Sequence, residues 1–108
     1  DIEGAVRGQT DSLLVLTGVT TVRDLLTAPP DRRPSYIAED LRGLLTTHVA
    51  PTRDGVNFAL GRTTAAVVSG QVILHPHGDK IDSVRVMCAA VWAHGGEVDA
   101  SEALASLA

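Results

Sequence analysis

Two histidines and an aspartate crowd into one short stretch of this 108-residue chain: His75, His77 and Asp79, in the segment HPHGD. In extended backbone, side chains two apart point to the same side. Imidazole and carboxylate are both zinc ligands, so a metal site is conceivable there. Zinc usually takes about three or four protein ligands, and His48 and His94 are far away in sequence. The simpler reading is a loop between a strand and a helix, with Asp79 as the helix N-cap.

Other reactive residue types stand alone. Cys88 is the single cysteine. It falls on the apolar stripe of a helix, where a thiol behaves as a small hydrophobe rather than a nucleophile. Thr17, Gly18, Thr20 and Thr21 could line a pocket with hydroxyls and backbone N–H groups, or serve as strand-exit and helix-capping residues. Asp1, taken by itself, reads as an N-cap or surface acid. Glu39, Asp40 and Arg42 read as a solvated helix start. No Ser/His/Asp set, CxxC or GxGxxG pattern occurs.

The elements that must hold these residues fall into two patterns. In the first, Asp1 to Gly8 reads as the end of a helix and Ser12 to Leu16 as an apolar strand covered on both faces, the mark of a parallel sheet. The loop Thr17 to Thr21 then lies outside the carboxyl end of that strand, where open α/β sheets bind ligands. Thr20 or Thr21 caps a helix carrying Val22, Leu25 and Leu26, with Asp24 completing a capping-box spacing from Thr21. Pro29-Pro30 ends that helix. Asp31 to Pro34 is a polar connector, Ser35 to Ala38 a second strand, and Asp40 caps a short helix over Leu41 to Leu45. Strand, helix, strand makes a βαβ crossover if the strands are parallel neighbours. Thr46 to Asp54 is the best linker stretch, with a proline and little apolar content.

From Gly55 the period changes to two. Val56, Phe58 and Leu60 alternate with Asn57 and Ala59; Thr63 to Val68 and Gln71 to His75 follow as strands, with Ser69-Gly70 a two-residue hairpin turn. Gly55 to His75 is therefore expected to be an antiparallel meander. Lys80 to His94 is the clearest helix, its stripe running through Ile81, Val84, Met87, Cys88, Val91 and Trp92. Gly95-Gly96 terminates it, and Asp99 or Ser101 starts a last helix through Leu104 and Leu107.

Composition excludes several classes. Hydrophobic residues are 44% of the chain and charged residues 20%, an ordinary globular balance. Tyr36, Phe58 and Trp92 are the only aromatics, so the core must be aliphatic. A net charge of −4 gives no clustered basic footprint for nucleic acid. No apolar run approaches the ~20 residues that span a bilayer. One cysteine excludes an internal disulfide framework and suits a reducing compartment, so a cytoplasmic protein is expected. The chain opens on Asp, without methionine, and a larger protein is expected to continue upstream.

The opening stretch DIEGAVRGQTDSLLVLTGVTT resembles the segment following the last acidic motif of haloacid dehalogenase-superfamily phosphatases, in the NagD-like, sugar-phosphate and glycerol-phosphate branch. Asp1-Ile2 matches the end of that family's G-D-x-x-x-x-D motif and the Ile behind it. Gly4, Ala5 and Gly8 match small helix positions, and Leu14 to Val19 matches the strand and its exit. Leu25 to Pro30 and Arg33 to Ile37 also fit. The resemblance is strongest to glycerol-3-phosphate phosphatases of mycobacterial type.

The resemblance implies a fold: an α/β chain, the C-terminal half of a Rossmann-like parallel sheet (helix-strand-helix-strand-helix), followed by a small α+β module with an antiparallel meander and a long helix. The expected boundaries are 1–46 for the phosphatase core part, 47–54 for a linker, and 55–108 for an acetyltransferase-like tail. It also implies a Mg²⁺ cofactor, with Asp1 a ligand or acting through water, and a small phosphate ester as substrate, glycerol 3-phosphate above all. The family's Asp nucleophile, which forms an aspartyl-phosphate, has no counterpart here, so the chain alone is expected to be inactive. In the tail, the loop HPHGDKID keeps one glycine of the acetyltransferase pyrophosphate loop and adds Asp79 and Asp82. Those acids occupy the helix N-terminus where an anion would sit, so no acetyl-CoA binding is expected.

Expected partners are the upstream part of the same protein and the substrate, with neither nucleic acid nor membrane. The competing reading is a non-catalytic small-ligand regulatory or dimerisation module. In that reading the meander's edges and the Val84 to Trp92 stripe pair between subunits, as a homo-oligomer.

Overall fold

The computed structural model describes residues 13–15, 22–34, 36–38 and 50–107. The chain divides into two compact units, Asp1–His48 and Val49–Ala108, each taken here by itself. The chain is of mixed α/β class, with one parallel strand pair and one antiparallel sheet among the described residues.

In the first unit, β1 (Leu13–Val15) pairs in parallel with β2 (Tyr36–Ala38), Leu14 opposite Ile37. Parallel neighbours joined through a helix are the arrangement the apolar run and the crossover spacing call for. That helix, α1 (Val22–Leu26), buries Leu25 and Leu26. It is shorter than Pro29 alone requires. The Thr27 hydroxyl donates to the carbonyls of Arg23 and Asp24 at 3.1 and 3.3 Å, a local bond that competes with further helix. Pro30 then opens a 3-10 turn over Pro30–Arg32, where its missing N–H costs nothing. The stretch expected as an irregular connector is thus partly helical. Arg33 Nε closes the corner by donating to the Ala28 carbonyl at 3.0 Å. The expected helices over Asp1 to Gly8 and Leu41 to Leu45 lie outside the described residues, as does Thr21 of the capping box.

The second unit is a four-stranded antiparallel meander in the order β3 (Thr52–Asp54), β4 (Asn57–Leu60), β5 (Thr63–Val68), β6 (Gln71–His75). β3 corrects the expected linker 47–54. Thr52, Arg53 and Asp54 pair with Ala59, Phe58 and Asn57, so three residues of that stretch are sheet. The β5–β6 turn has Ser69 at φ 52° and Gly70 at φ 76°. Both positive φ values match a two-residue turn whose twist suits the flanking strands.

Register and the two-residue period put Arg53, Phe58, Ala65 and Leu74 in one cross-strand row. Thr63, Val67 and Val72 share that face. Helix α2 (Lys80–His94) lies across it, chiefly over β5 and β4. The helix buries Ile81, Val84, Met87, Cys88 and Val91, as the stripe predicts. It also buries Ser83, Val86 and Ala90, an adjoining stripe that widens the buried face. Gly95 ends it in the left-handed region, φ 76°, with its N–H on the Val91 carbonyl.

The chain then returns to the sheet. Asp99 pairs with Gln71 in a parallel bridge, its N–H on the Gly70 carbonyl at 2.7 Å and its carbonyl receiving the Val72 N–H at 2.9 Å. A short α3 (Ser101–Ser106) packs beside β6 and buries Ala103.

Candidate functional site

Parallel pairing of β1 with β2 brings Val15 and Ala38 to the same edge of the sheet. The carboxyl ends of parallel strands are where open α/β sheets hold their ligands. Asp1, Thr17, Gly18, Thr20 and Thr21, which the sequence places in or near such a site, lie outside the described residues. Glu39, Asp40, Arg42 and His48 do as well. α1 carries exposed Arg23 and Asp24.

In the second unit, His75 closes β6 opposite Thr64, and His77 follows Pro76. Both imidazoles are exposed. What holds this loop is the Thr63 side chain, which is fully buried. Its hydroxyl donates to the His77 carbonyl at 2.6 Å and accepts from the His77 N–H at 3.2 Å. The reason is local: Pro76 has no N–H to extend the ladder, so a side chain from β5 takes over one residue on. Among the described residues, no group of three or more His, Cys, Asp and Glu side chains could hold a metal.

Asp79 stands at the N-cap position of α2, yet its side chain makes no capping bond. Asp82 accepts from Arg85 Nη1 at 3.0 Å along the helix. Both acids remain near the positive end of the helix dipole, but neither carboxylate fills the role of hydrogen-bonded cap that the sequence suggests. A carboxylate does bond the start of the next helix. Asp99 Oδ1 accepts from the Ser101 N–H at 3.0 Å and the Ser101 hydroxyl at 2.6 Å at the start of α3. These bonds, the hydroxyl first, hold the Asp99 carboxyl below its ordinary range. Cys88 is wholly buried, and burial pushes its thiol up to about 12, so at neutral pH it carries no thiolate to attack anything.

The sequence did not group the residues around the one cleft described in this unit. It is lined by Arg53, Val56, Phe58, Val67, Ala90, Ala93 and His94 and encloses about 240 Å³. Arg53 lies over the Phe58 ring, 5.2 Å from its centroid, and its Nε donates to the Gly55 carbonyl at 3.0 Å. No local motif marks this group, because its members come from an edge strand, a turn, two inner strands and a helix end. The polar/apolar alternation around Phe58 was the only available signal.

Comparison with known proteins first defines a class. Residues 1–44 match the HAD-hydrolase-like family model, over the same stretch that carries the sequence resemblance. Over more of its length, the chain is 38% identical across 97 residues to D-glycerol 3-phosphate phosphatase of Mycobacterium tuberculosis, a match covering 85% of the chain and 28% of that protein. Its structure is similar to that of glycerol phosphate phosphatase Rv1692 from the same organism in complex with magnesium. The TM-score is 0.73 at 35% identity, over 99% of this chain and 33% of that one. The calcium complex of Rv1692 matches with a TM-score of 0.57 at 30% identity, over 90% and 28% respectively. The chain thus spans about a third or less of the relatives it matches. The resemblance to the C-terminal part of a haloacid dehalogenase-type phosphatase stands on these matches.

Proposed function

We propose that this chain is the C-terminal part of a Mg²⁺-dependent phosphatase that hydrolyses small phosphate monoesters, glycerol 3-phosphate foremost. The observation that carries the reading is the similarity to a glycerol phosphate phosphatase along nearly the whole chain, with the family match in its first unit. Residues 1–46 contribute to the catalytic core and 55–108 form a tail without acetyl-CoA binding. The nucleophilic Asp lies in the upstream part of the same protein. Its carboxylate oxygen attacks phosphorus, the P–O bond to glycerol breaks, and the departing glycerol oxygen takes a proton from water. Water then cleaves the aspartyl-phosphate to inorganic phosphate. Mg²⁺ supplies charge neutralisation on the transferring phosphoryl group. Asp1 offers the hard carboxylate oxygen that Mg²⁺ selects, as a ligand or through a bound water. Thr17, Gly18 and Thr20 line the pocket with hydroxyl and N–H donors.

The test is phosphate release from glycerol 3-phosphate by the protein that includes the upstream part. Release should require Mg²⁺ and stop with EDTA. Asp1→Asn should raise the Mg²⁺ concentration needed for half-maximal rate, and the 108-residue chain alone should release none. Metal-independent release, or none from any small phosphate monoester, would overturn the proposal.

A further inference from the structure

The cleft of the second unit has the makings of a separate binding site. Its floor is apolar: Phe58, Val67 and Ala90 are buried. Its rim includes Val56, which is 55% exposed on the β3–β4 turn, apolar surface with nothing over it in this unit. Two basic side chains, Arg53 and His94, and no acid complete the lining, although the chain as a whole carries a net charge of −4. Acid-free lining in an acidic protein favours an anion over a cation.

The guanidinium is also positioned. The Phe58 ring beneath it and the Gly55 carbonyl on Nε fix its plane. Only one of its five N–H groups is used there, which leaves the paired terminal N–H groups that a carboxylate accepts from in a fork. Among the described residues, no carboxylate pairs with Arg53 or His94.

We propose that this cleft binds a short-chain carboxylate, its head on Arg53 and its tail against Phe58, Val67, Ala90 and Ala93. The size limits the tail, since about 240 Å³ lies below the ~300–1,000 Å³ of pockets for drug-sized ligands. The charge is limited as well. His94 is the last residue of α2, and the negative end of the helix dipole opposes any anion, about twice as strongly for a dianion such as a phosphate monoester as for a singly charged carboxylate that Arg53 can offset. This inference rests on the second unit alone and does not depend on the phosphatase reading.

The experiment is a ¹H–¹⁵N NMR titration of the 108-residue chain with hexanoate, with 1-hexanol and hexyl phosphate as parallel arms. Hexanoate should give saturable shifts confined to Arg53, Val56, Phe58, Ala93 and His94, while hexanol binds at least about tenfold more weakly. Arg53→Gln and Val56→Asp, both at exposed positions, should each weaken hexanoate about tenfold or more. Equal affinity for hexanol, an unaltered Arg53→Gln titration, or non-saturating shifts spread over the fold would overturn the proposal. Tighter binding of hexyl phosphate than of hexanoate would overturn the carboxylate assignment.

Discussion

Replacing Thr63 with valine removes one oxygen atom and keeps the side chain's shape. The hydroxyl is fully buried and makes two hydrogen bonds to one residue, donating to the His77 carbonyl at 2.6 Å and accepting from its N–H at 3.2 Å. A typical hydrogen bond contributes about 0.5–1.5 kcal/mol net, so the pair together stabilises by roughly 1–3 kcal/mol. Two effects pull toward the lower half of that range. His77 is itself exposed, so water can reach part of what the hydroxyl abandons. Valine also adds a buried methyl group, worth up to about 0.8 kcal/mol if it packs well. The net expectation is a loss of about 1–2 kcal/mol. In urea, with a slope of about 1 kcal/mol/M for a unit this small, the midpoint should fall by about 1–2 M. Thr63→Ser, which keeps the oxygen and loses the methyl, should hold the His77 amide protected from hydrogen exchange; Thr63→Val should not. An unchanged midpoint together with unchanged His77 protection would refute the claim that this hydroxyl secures the histidine loop.

Three further outcomes follow from other sites. Cys88 should resist thiol reagents in the folded protein at neutral pH and react only on unfolding; labelling at native rates near those of free cysteine would contradict its burial. Its thiol is raised from 9.0 to about 12, so the unfolded chain loses this proton first. Stability should therefore be intact below pH 9 and decline between pH 9 and 12, by up to about 1.4 kcal/mol per pH unit, with Cys88→Ala flattening that decline in an alkaline unfolding series. Gly95→Ala should cost about 1–2 kcal/mol through the left-handed backbone alone, because a Cβ there meets nothing within 4 Å; a thermal melt that does not move would show the cap is dispensable. The Asp99 carboxyl should titrate below ordinary aspartates by NMR, and Ser101→Ala should raise its midpoint. Since that pKa is lowered in the fold, its contribution is present above the ordinary carboxylate pKa and fades as pH falls through the folded value.

Much of the architecture was readable because period and turn chemistry agreed. Ser69-Gly70 announced its hairpin, Gly95 its helix end, and the apolar run at Leu13–Val15 its parallel partner. β3 was not legible: Thr52, Arg53 and Asp54 are all exposed, so no alternation of apolar residues betrays a strand whose order comes from backbone pairing alone. The second buried stripe of α2 escaped for the opposite reason. Ser83 and Ala90 do not read as hydrophobic anchors, which leaves Val86 alone and no visible stripe. Asp79 stands at the N-cap its residue type suggests but makes no capping bond, whereas the Asp99 carboxylate bonds Ser101 at the start of α3. The proposed metal residue Asp1 and pocket residues Thr17, Gly18 and Thr20 were legible only through a family resemblance. No spacing among those four residues marks such a site by itself. The cleft around Arg53 was invisible because proximity across β3, β4, β5 and α2 is created by folding.

The bridge between Gln71 and Asp99 has a consequence for which edge of the sheet is open to another strand. A sheet edge with open N–H and C=O groups is a template for strand addition by another molecule. The two margins of this meander are guarded differently. β3 is only three residues long and carries Arg53 and Asp54, brevity and charge that discourage docking. β6 has neither defence along Gln71–His75, and the returning chain takes the amide of Val72 and the carbonyl of Gly70 for itself. The chain around Asp99 thus occupies part of the edge that a strand from another molecule would pair with. A chain cut after Gly96 should form higher-order species at concentrations where the intact chain stays monodisperse by light scattering.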